Sequence, residues 1–209
     1  DLHSTSRRQR QMCIRDSFIA DNPDVPVVQM DSVIGNKSGK VLLTMFFQNS
    51  NLLLAFLRDH NTARSVLDVF NDLYAMFGRK TYCRLFPVIL TDRGSEFSNP
   101  VPIEQDENDE LRSLVFYCNP SAPYQKGGIE VAHELVRRVL PKGKSFDDLQ
   151  QEDIDLMLSH INSYKRGKLN SRSAYQLFSF IYGDDILPKL NIHEIEPNDI
   201  VLSPKLLKK

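Results

Sequence analysis

Hydrophobic positions along this chain change period several times, and each change marks an element. Val27-Val28-Gln29-Met30-Asp31-Ser32-Val33 is a short run rich in β-branched residues, the pattern of a buried strand. Gly35-Asn36-Lys37-Ser38-Gly39 is turn chemistry. Val41 to Phe47 and Leu52 to Leu57 predict two more strands, joined by Gln48-Asn49-Ser50-Asn51. Three strands with short turns make an antiparallel meander. The period then lengthens: Val66, Val69, Phe70, Leu73 and Phe77 follow the three-four spacing of an amphipathic helix, capped by Asn61 or Thr62 and ended by Gly78.

Phe86 to Leu90 is a short apolar run into Thr91-Asp92, as in a central parallel strand. Glu104 to Arg112 is a short polar helical candidate, and Leu114 to Cys118 is another strand. Gly127-Gly128 lead into a helix from Ile129 to Leu140, stopped by Pro141-Lys142-Gly143. Ser145, Asp147 and Asp148 offer caps for a helix over Glu152 to Tyr164, and Ser173 to Tyr182 is a last amphipathic helix. The tail from Pro188 is irregular, with one candidate short strand at Ile200 to Leu202. The order β-β-β-α-β-α-β-α predicts an α/β fold: a mixed five-stranded sheet flanked by helices, in the ribonuclease H-like arrangement, with extra C-terminal helices.

Length and composition narrow the classes. The chain has 209 residues, 41% of them hydrophobic and 25% charged, which is ordinary globular composition and enough for one domain with appendages. No apolar run approaches the ~20 residues that span a bilayer, so no membrane partner is expected. Twenty-six basic residues against 27 acidic ones exclude a uniformly basic nucleic-acid binder, though not local basic patches. Cys13, Cys83 and Cys118 form neither a disulfide framework nor a CxxC metal pattern, which suits a reducing, cytoplasmic compartment.

The first seventeen residues, DLHSTSRRQRQMCIRDS, fit none of this. They carry four arginines, no apolar period and no signal-peptide core. They read as translated sequencing-adapter read-through, the other reading being a disordered basic arm that binds nucleic acid. The remaining chain is then expected to begin inside a longer protein.

Three acids sit where chemistry would want them. Asp31 interrupts an apolar strand, Asp92 closes another, and Glu130 lies in the first turn of a helix after a glycine pair. An acid in an apolar strand is costly unless paired, protonated or metal-bound. Adjacent first and fourth strands would bring Asp31 and Asp92 together, and a helix across them could add Glu130. A hard dication relieves the repulsion of such a cluster. Sharing that ion requires the carboxyl groups of Asp31 and Asp92 within about 8 Å of each other. Each residue also has a plainer reading: Asp31 pairing with Lys37 or Lys40, Asp92 in a local turn, Glu130 complementing a helix N-terminus.

The same residues lie in blocks that resemble a known family. Met30-Asp31-Ser32-Val33-Ile34-Gly35, Leu90-Thr91-Asp92-Arg93-Gly94-Ser95-Glu96-Phe97 and Pro123-Tyr124-Gln125-Lys126-Gly127-Gly128-Ile129-Glu130 look like the three blocks of the DDE integrase core. The nearest resemblance is to bacterial insertion-sequence transposases of the IS-thirty family. Arg137-Arg138-Val139-Leu140-Pro141-Lys142-Gly143 is similar to that family's R-x-x-L-P-K-G stretch. Asn162-Ser163-Tyr164-Lys165-Arg166, followed by Ser173 to Phe178, is similar to its ending. Val28 and Met30 stand where the family has tryptophan and glycine, Arg93 where it has asparagine, Tyr124 where it has tryptophan and Ala174 where it has proline.

The resemblance implies residues 18–145 as the integrase catalytic core and 146–209 as a C-terminal helical extension and tail. It implies a transposase that cleaves and joins DNA at element ends, with Asp31, Asp92 and Glu130 as catalytic, metal-binding triad and Mg²⁺ as cofactor, Mn²⁺ substituting. DNA, at element ends and target, and a homo-oligomeric active complex are the implied partners. Glu134, one turn after Glu130, is the rival third ligand; His133 reads as a packing histidine or a metal neighbour. Arg93, Tyr124, Lys126, Arg137, Arg138, Lys142, Lys165 and Arg166 are candidate DNA contacts. Two other functions fit the same residues: an inactive fragment that only binds DNA or assembles, and a ribonuclease H-like nuclease without strand transfer.

Overall fold

The structure is a computed structural model that describes residues 12–36, 39–119 and 123–207. The side chains of residues 12–15 and 123–124 lie outside the description, so the roles expected of Lys37 and of the Tyr124 ring concern positions not described. So do residues 1–11.

Five strands form one sheet: β1 (Val27–Ile34), β2 (Val41–Phe47), β3 (Leu52–Arg58), β4 (Val88–Thr91) and β5 (Leu114–Tyr117), in the order β3-β2-β1-β4-β5. β2 and β3 pair antiparallel from Val41 opposite Arg58 to Phe47 opposite Leu52. β1 and β4 are parallel, Val27 opposite Val88 and Gln29 opposite Leu90, and β4 and β5 are parallel from Val88–Leu114 to Thr91–Tyr117. Every residue of β2 and of β4 is buried, as a strand covered on both faces requires. The mixed sheet with flanking helices is the expected ribonuclease H-like fold.

Contacts divide the chain into two compact units, residues 1–31 with 61–127, and residues 32–60 with 128–209. The first unit holds α1 (Met12–Asp21), α2 (Ala63–Leu85) and the short α3 (Val101–Glu104). Phe18 and Ile19 of α1 pack on a cluster of Val27, Val88, Leu90, Phe116 and Cys118, with the Phe18 and Phe116 rings 5.9 Å apart. That helix runs through Ser17, the boundary drawn from sequence. Thr62 and Ser65 form a reciprocal capping box at the start of α2. Gly78, expected to end that helix, leaves helical geometry at φ 70°, and a second helical segment follows it. The helical run resumes because Tyr82 and Leu85 have apolar partners to meet: Tyr82 stacks on Phe86 and Tyr74, each 5.1 Å away.

The helix expected over Glu104 to Arg112 does not form. α3 stops at Glu104, and Gln105 and Leu111 bridge antiparallel across a turn in which Asp106 accepts from the amides of Asn108 and Glu110. The Glu104 carboxylate instead accepts from the Val115 amide of β5 at 2.8 Å. A side-chain acceptor that serves the turn or strand backbone competes with helix propagation.

The second unit holds α4 (Gly127–Val139) from Gly128 onward, α5 (Gln151–Ser163), α6 (Ala174–Tyr182) and the short α7 (Ile186–Lys189). Asp153 caps α5 by accepting from the Gln150 amide at 2.9 Å, whereas Ser145 and Asp147, the caps expected from sequence, bond each other, and Asp147 accepts from the Lys40 amide at 2.8 Å. Phe47, Phe178 and Tyr182 form an aromatic cluster with centroids 4.6–6.1 Å apart. Ile200 to Leu202 forms no strand, as both its neighbours in the tail are 3-10 turns.

Candidate active site

The parallel register of β1 and β4 places the site. Gln29 pairs with Leu90, so Asp31 and Asp92, each two residues on, emerge side by side on one face where the pairing ends. Between them lies Lys126, delivered by a 3-10 turn over Pro123–Lys126. Its Nζ is 3.2 Å from Asp31 Oδ2, 3.0 Å from Asp92 Oδ2 and 3.4 Å from the Met30 carbonyl oxygen. The two bridged carboxylate oxygens are therefore within about 6 Å of each other, inside the span of a shared metal site.

The turn is clasped on both sides. The Gln125 side-chain oxygen accepts from the Asn119 amide at 2.8 Å, and its carbonyl accepts from Gln29 Nε2 at 3.4 Å. Lys126 is 6% exposed. Burial pulls its pKa down, but the charges and hydrogen bonds of Asp31 and Asp92 outweigh burial and leave the ammonium above its usual value.

Asp92 begins the next loop as well. Its other oxygen accepts from the Gly94 amide at 2.9 Å. A methyl group at Gly94 would meet Glu96 Oε2 at 2.6 Å and Asp92 Oδ1 at 3.1 Å, so the missing side chain is what admits both carboxylates. Glu96 is held by Asn61 Nδ2 at 2.9 Å, and Phe97 is anchored where its carbonyl accepts from Tyr117 OH at 2.6 Å. Glu96 was not among the residues expected at the site; the acidic residue four positions after Asp92 was its only signal.

The remaining candidates are placed as follows. Arg93 is exposed in the first unit. In the second unit, Glu130 sits in the exposed first turn of α4 and Glu134 is exposed one turn on. His133 Nε2 is 2.8 Å from the hydroxyl of buried Thr44 on β2, the contact of a packing histidine. Arg138, Lys142 and Lys165 are exposed. Arg137 and Arg166 are spent largely on backbone. Arg137 donates to the Ile34 carbonyl at 3.0 Å, and Arg166 to those of Asn51 at 3.2 Å and Ile161 at 3.3 Å. Burial lowers the pKa of both.

Two neighbouring carboxylates that already share a cation have the donor chemistry a hard divalent ion selects, so Asp31 and Asp92 fit such an ion. Among the described residues, no three His, Cys, Asp or Glu side chains lie close enough together to form a metal cluster. No described helix is long and apolar enough to cross a membrane.

A ribonuclease H-like sheet with one aspartate inside β1 and another just past the end of the adjacent β4 makes this chain integrase- and transposase-core-like. Comparison with known proteins agrees. The ORF3 protein of Spiroplasma virus SpV1-R8A2 B, named as an integrase, is 29% identical over 151 residues, covering 72% of this chain and 45% of that protein. The transposase for insertion sequence element IS1086 of Cupriavidus metallidurans is 33% identical over 76 residues, 35% of this chain and 22% of that protein. The InsI transposase of element IS30A of Escherichia coli is 27% identical over 63 residues, 30% of this chain and 16% of that protein. The matches thus span less than half the length of these relatives. A chain of the simian T-cell lymphotropic virus intasome, solved with PP2A regulatory subunit B56 gamma, shares the fold: TM-score 0.53, 17% identity, 83% of this chain and 59% of that one covered. No family model matches. The likeness to DDE transposases and integrases, IS30 transposases included, is carried by sequence and by fold.

Proposed function

We propose that this chain is the catalytic core of a DNA transposase that cleaves and joins DNA strands at insertion-sequence ends in the bacterial cytoplasm. The observation that carries the reading is the register-matched pair of Asp31 and Asp92 around one cation position. Asp31 and Asp92 hold Mg²⁺ or Mn²⁺, and Glu130, at the exposed start of α4, is the third ligand. Bound there, a divalent ion supplies Lewis-acid activation of the attacking oxygen and stabilises the leaving one.

The chain's own residues do the rest. Two neighbouring carboxylates fix the position of positive charge against the scissile phosphate. The exposed cations Arg93, Arg138, Lys142 and Lys165 neutralise backbone phosphates and set register without reading sequence. No side-chain nucleophile is required. A near-neutral chain, 26 basic against 27 acidic residues, holds DNA weakly by itself, which fits a core that works in a homo-oligomer with separate end-binding parts.

The test is nicking of supercoiled plasmid and joining of a labelled duplex end in Mn²⁺. Asp31→Asn, Asp92→Asn and Glu130→Gln are each expected to abolish both reactions with the circular dichroism spectrum unchanged, while Glu134→Gln retains activity. Activity surviving Asp92→Asn would refute the site. Greater loss from Glu134→Gln than from Glu130→Gln would move the third ligand one helical turn. Nicking without joining would favour a plain nuclease.

A further inference from the structure

We propose that Lys126 is an exchangeable internal cation: its ammonium holds Asp31 and Asp92 together in the metal-free protein and must leave for a divalent ion to enter. The inference rests on reading Asp31 and Asp92 as the metal-holding pair. An ammonium has three donors, and this one has an acceptor within reach for each: Asp31 Oδ2 at 3.2 Å, Asp92 Oδ2 at 3.0 Å and the Met30 carbonyl at 3.4 Å. A side chain only 6% exposed is not a solvated lysine that drifts toward acids. Burying its charge is costly unless it is paired, and here the pairing is with both acids at once.

Two consequences follow from charge and space. Without a counter-ion, neighbouring aspartates repel and are driven apart. Lys126 removes that repulsion and keeps both carboxylates aimed at a common point. It also occupies that point. A dication bridging the same oxygens would stand within a few ångströms of the ammonium, where like charges repel strongly. The exchange is favourable in charge, because a dication brings two positive charges to the pair where the ammonium brings one. The side chain thus sets the metal affinity of the site, and once displaced it becomes a free cation beside the carboxylates, placed to contact a phosphate oxygen of the DNA backbone.

Mn²⁺ is the probe. Its affinity for the purified chain is measured by electron paramagnetic resonance titration of the free ion, in the parent and in Lys126→Met, Lys126→Arg and Asp92→Asn. Lys126→Met, which keeps the length and removes the charge, is expected to bind Mn²⁺ at least tenfold more tightly than the parent, while melting at a lower temperature in EDTA. Lys126→Arg is expected to stay near the parent, and Asp92→Asn to lose the site.

A second measurement needs no substitution. Acetylation of lysines by an amine-reactive reagent, mapped by mass spectrometry, is expected to spare Lys126 in EDTA and to label it in saturating Mn²⁺. Equal or weaker Mn²⁺ binding by Lys126→Met, with binding by the parent still abolished by Asp92→Asn, overturns the exchange and leaves the metal site standing. Labelling of Lys126 that does not change while Mn²⁺ saturates the protein overturns it too, even if Lys126→Met does not fold. Absence of Mn²⁺ binding in both parent and Lys126→Met removes the metal-site reading, and the exchange with it.

Discussion

Asn162 offers the sharpest test of how the second unit is built. β3 ends the sheet, so one row of its backbone groups has no neighbouring strand. Side chains of α5 and the residues after it take the place of that strand. Asn162 Oδ1 accepts from the Leu53 amide at 2.9 Å, and its Nδ2 donates to the Leu53 carbonyl at 2.8 Å. Gln151 repeats the pattern, accepting from the Leu57 amide at 2.8 Å and donating to the Ala55 carbonyl at 3.1 Å, and Arg166 continues the row with Asn51. Asn162 is fully buried, as is Leu53. Asn162→Ala therefore strands one buried donor and one buried acceptor, at about 1–3 kcal/mol each. A loss of about 2–5 kcal/mol is expected, a large share of the ~5–15 kcal/mol that holds a domain together. With a urea dependence of about 2 kcal/mol/M, the unfolding midpoint falls by at least about 1 M. Gln151→Ala should cost less, because its half-exposed site lets water replace the amide. Asn162→Asp keeps the acceptor but sets a carboxylate against the Leu53 carbonyl, so it should be no better than Ala. An Asn162→Ala midpoint within about 0.3 M of the parent at unchanged slope would refute the edge-capping account.

Two further outcomes are expected. His160 Nδ1 accepts from the Val201 amide at 3.1 Å, and burial, opposed only by the charge of Asp199, pulls its pKa below the ordinary histidine value. A folded-state pKa below the unfolded value means that the stabilisation is complete above about pH 6.5 and drains away as pH falls through the folded value. Protection of the Val201 amide, corrected for intrinsic exchange, should therefore drop as pH falls below about 6.5; protection that stays constant through acid pH until global unfolding would contradict the assignment. Gly35→Ala would drive a methyl to 2.4 Å from the Lys144 carbonyl oxygen and 3.1 Å from the Phe146 ring. A cost of about 1–3 kcal/mol lowers the melting temperature by at least about 3 °C, and an unchanged melting temperature would show that the Lys144 segment yields freely.

What could be read in advance divides along a physical line. Strands that are buried on both faces announce themselves as unbroken apolar runs, which is why β2 matches its expected range to the residue. The Asp31–Asp92 pair was legible because one acid interrupts an apolar strand, the other closes one, and parallel pairing sets the two strands side by side. Gly78 was legible as the stop of one helical segment, while the segment after it, where Tyr82 packs on Phe86, depends on contacts the apolar period does not show. Lys126 was less legible. In sequence it is one basic residue read as a phosphate contact; its place between Asp31 and Asp92 depends on the fold of the Pro123–Lys126 turn.

The polar residues of α5 had a signal that was not used. Gln151, Asp155, Ser159 and Asn162 recur at spacings of four, four and three, which puts them on one helix face. Three of them, Asp155, Ser159 and Asn162, are buried. In α5 this stripe turns to backbone groups rather than to solvent: Gln151 and Asn162 bond the edge of β3, and Ser159 accepts from the His193 amide. The same logic separates two arginines of the family-like stretches from their basic neighbours. Arg137 and Arg166 reach carbonyl oxygens and lose hydration, whereas Arg138 and Lys165, one position away from each, stay exposed and keep their charge available.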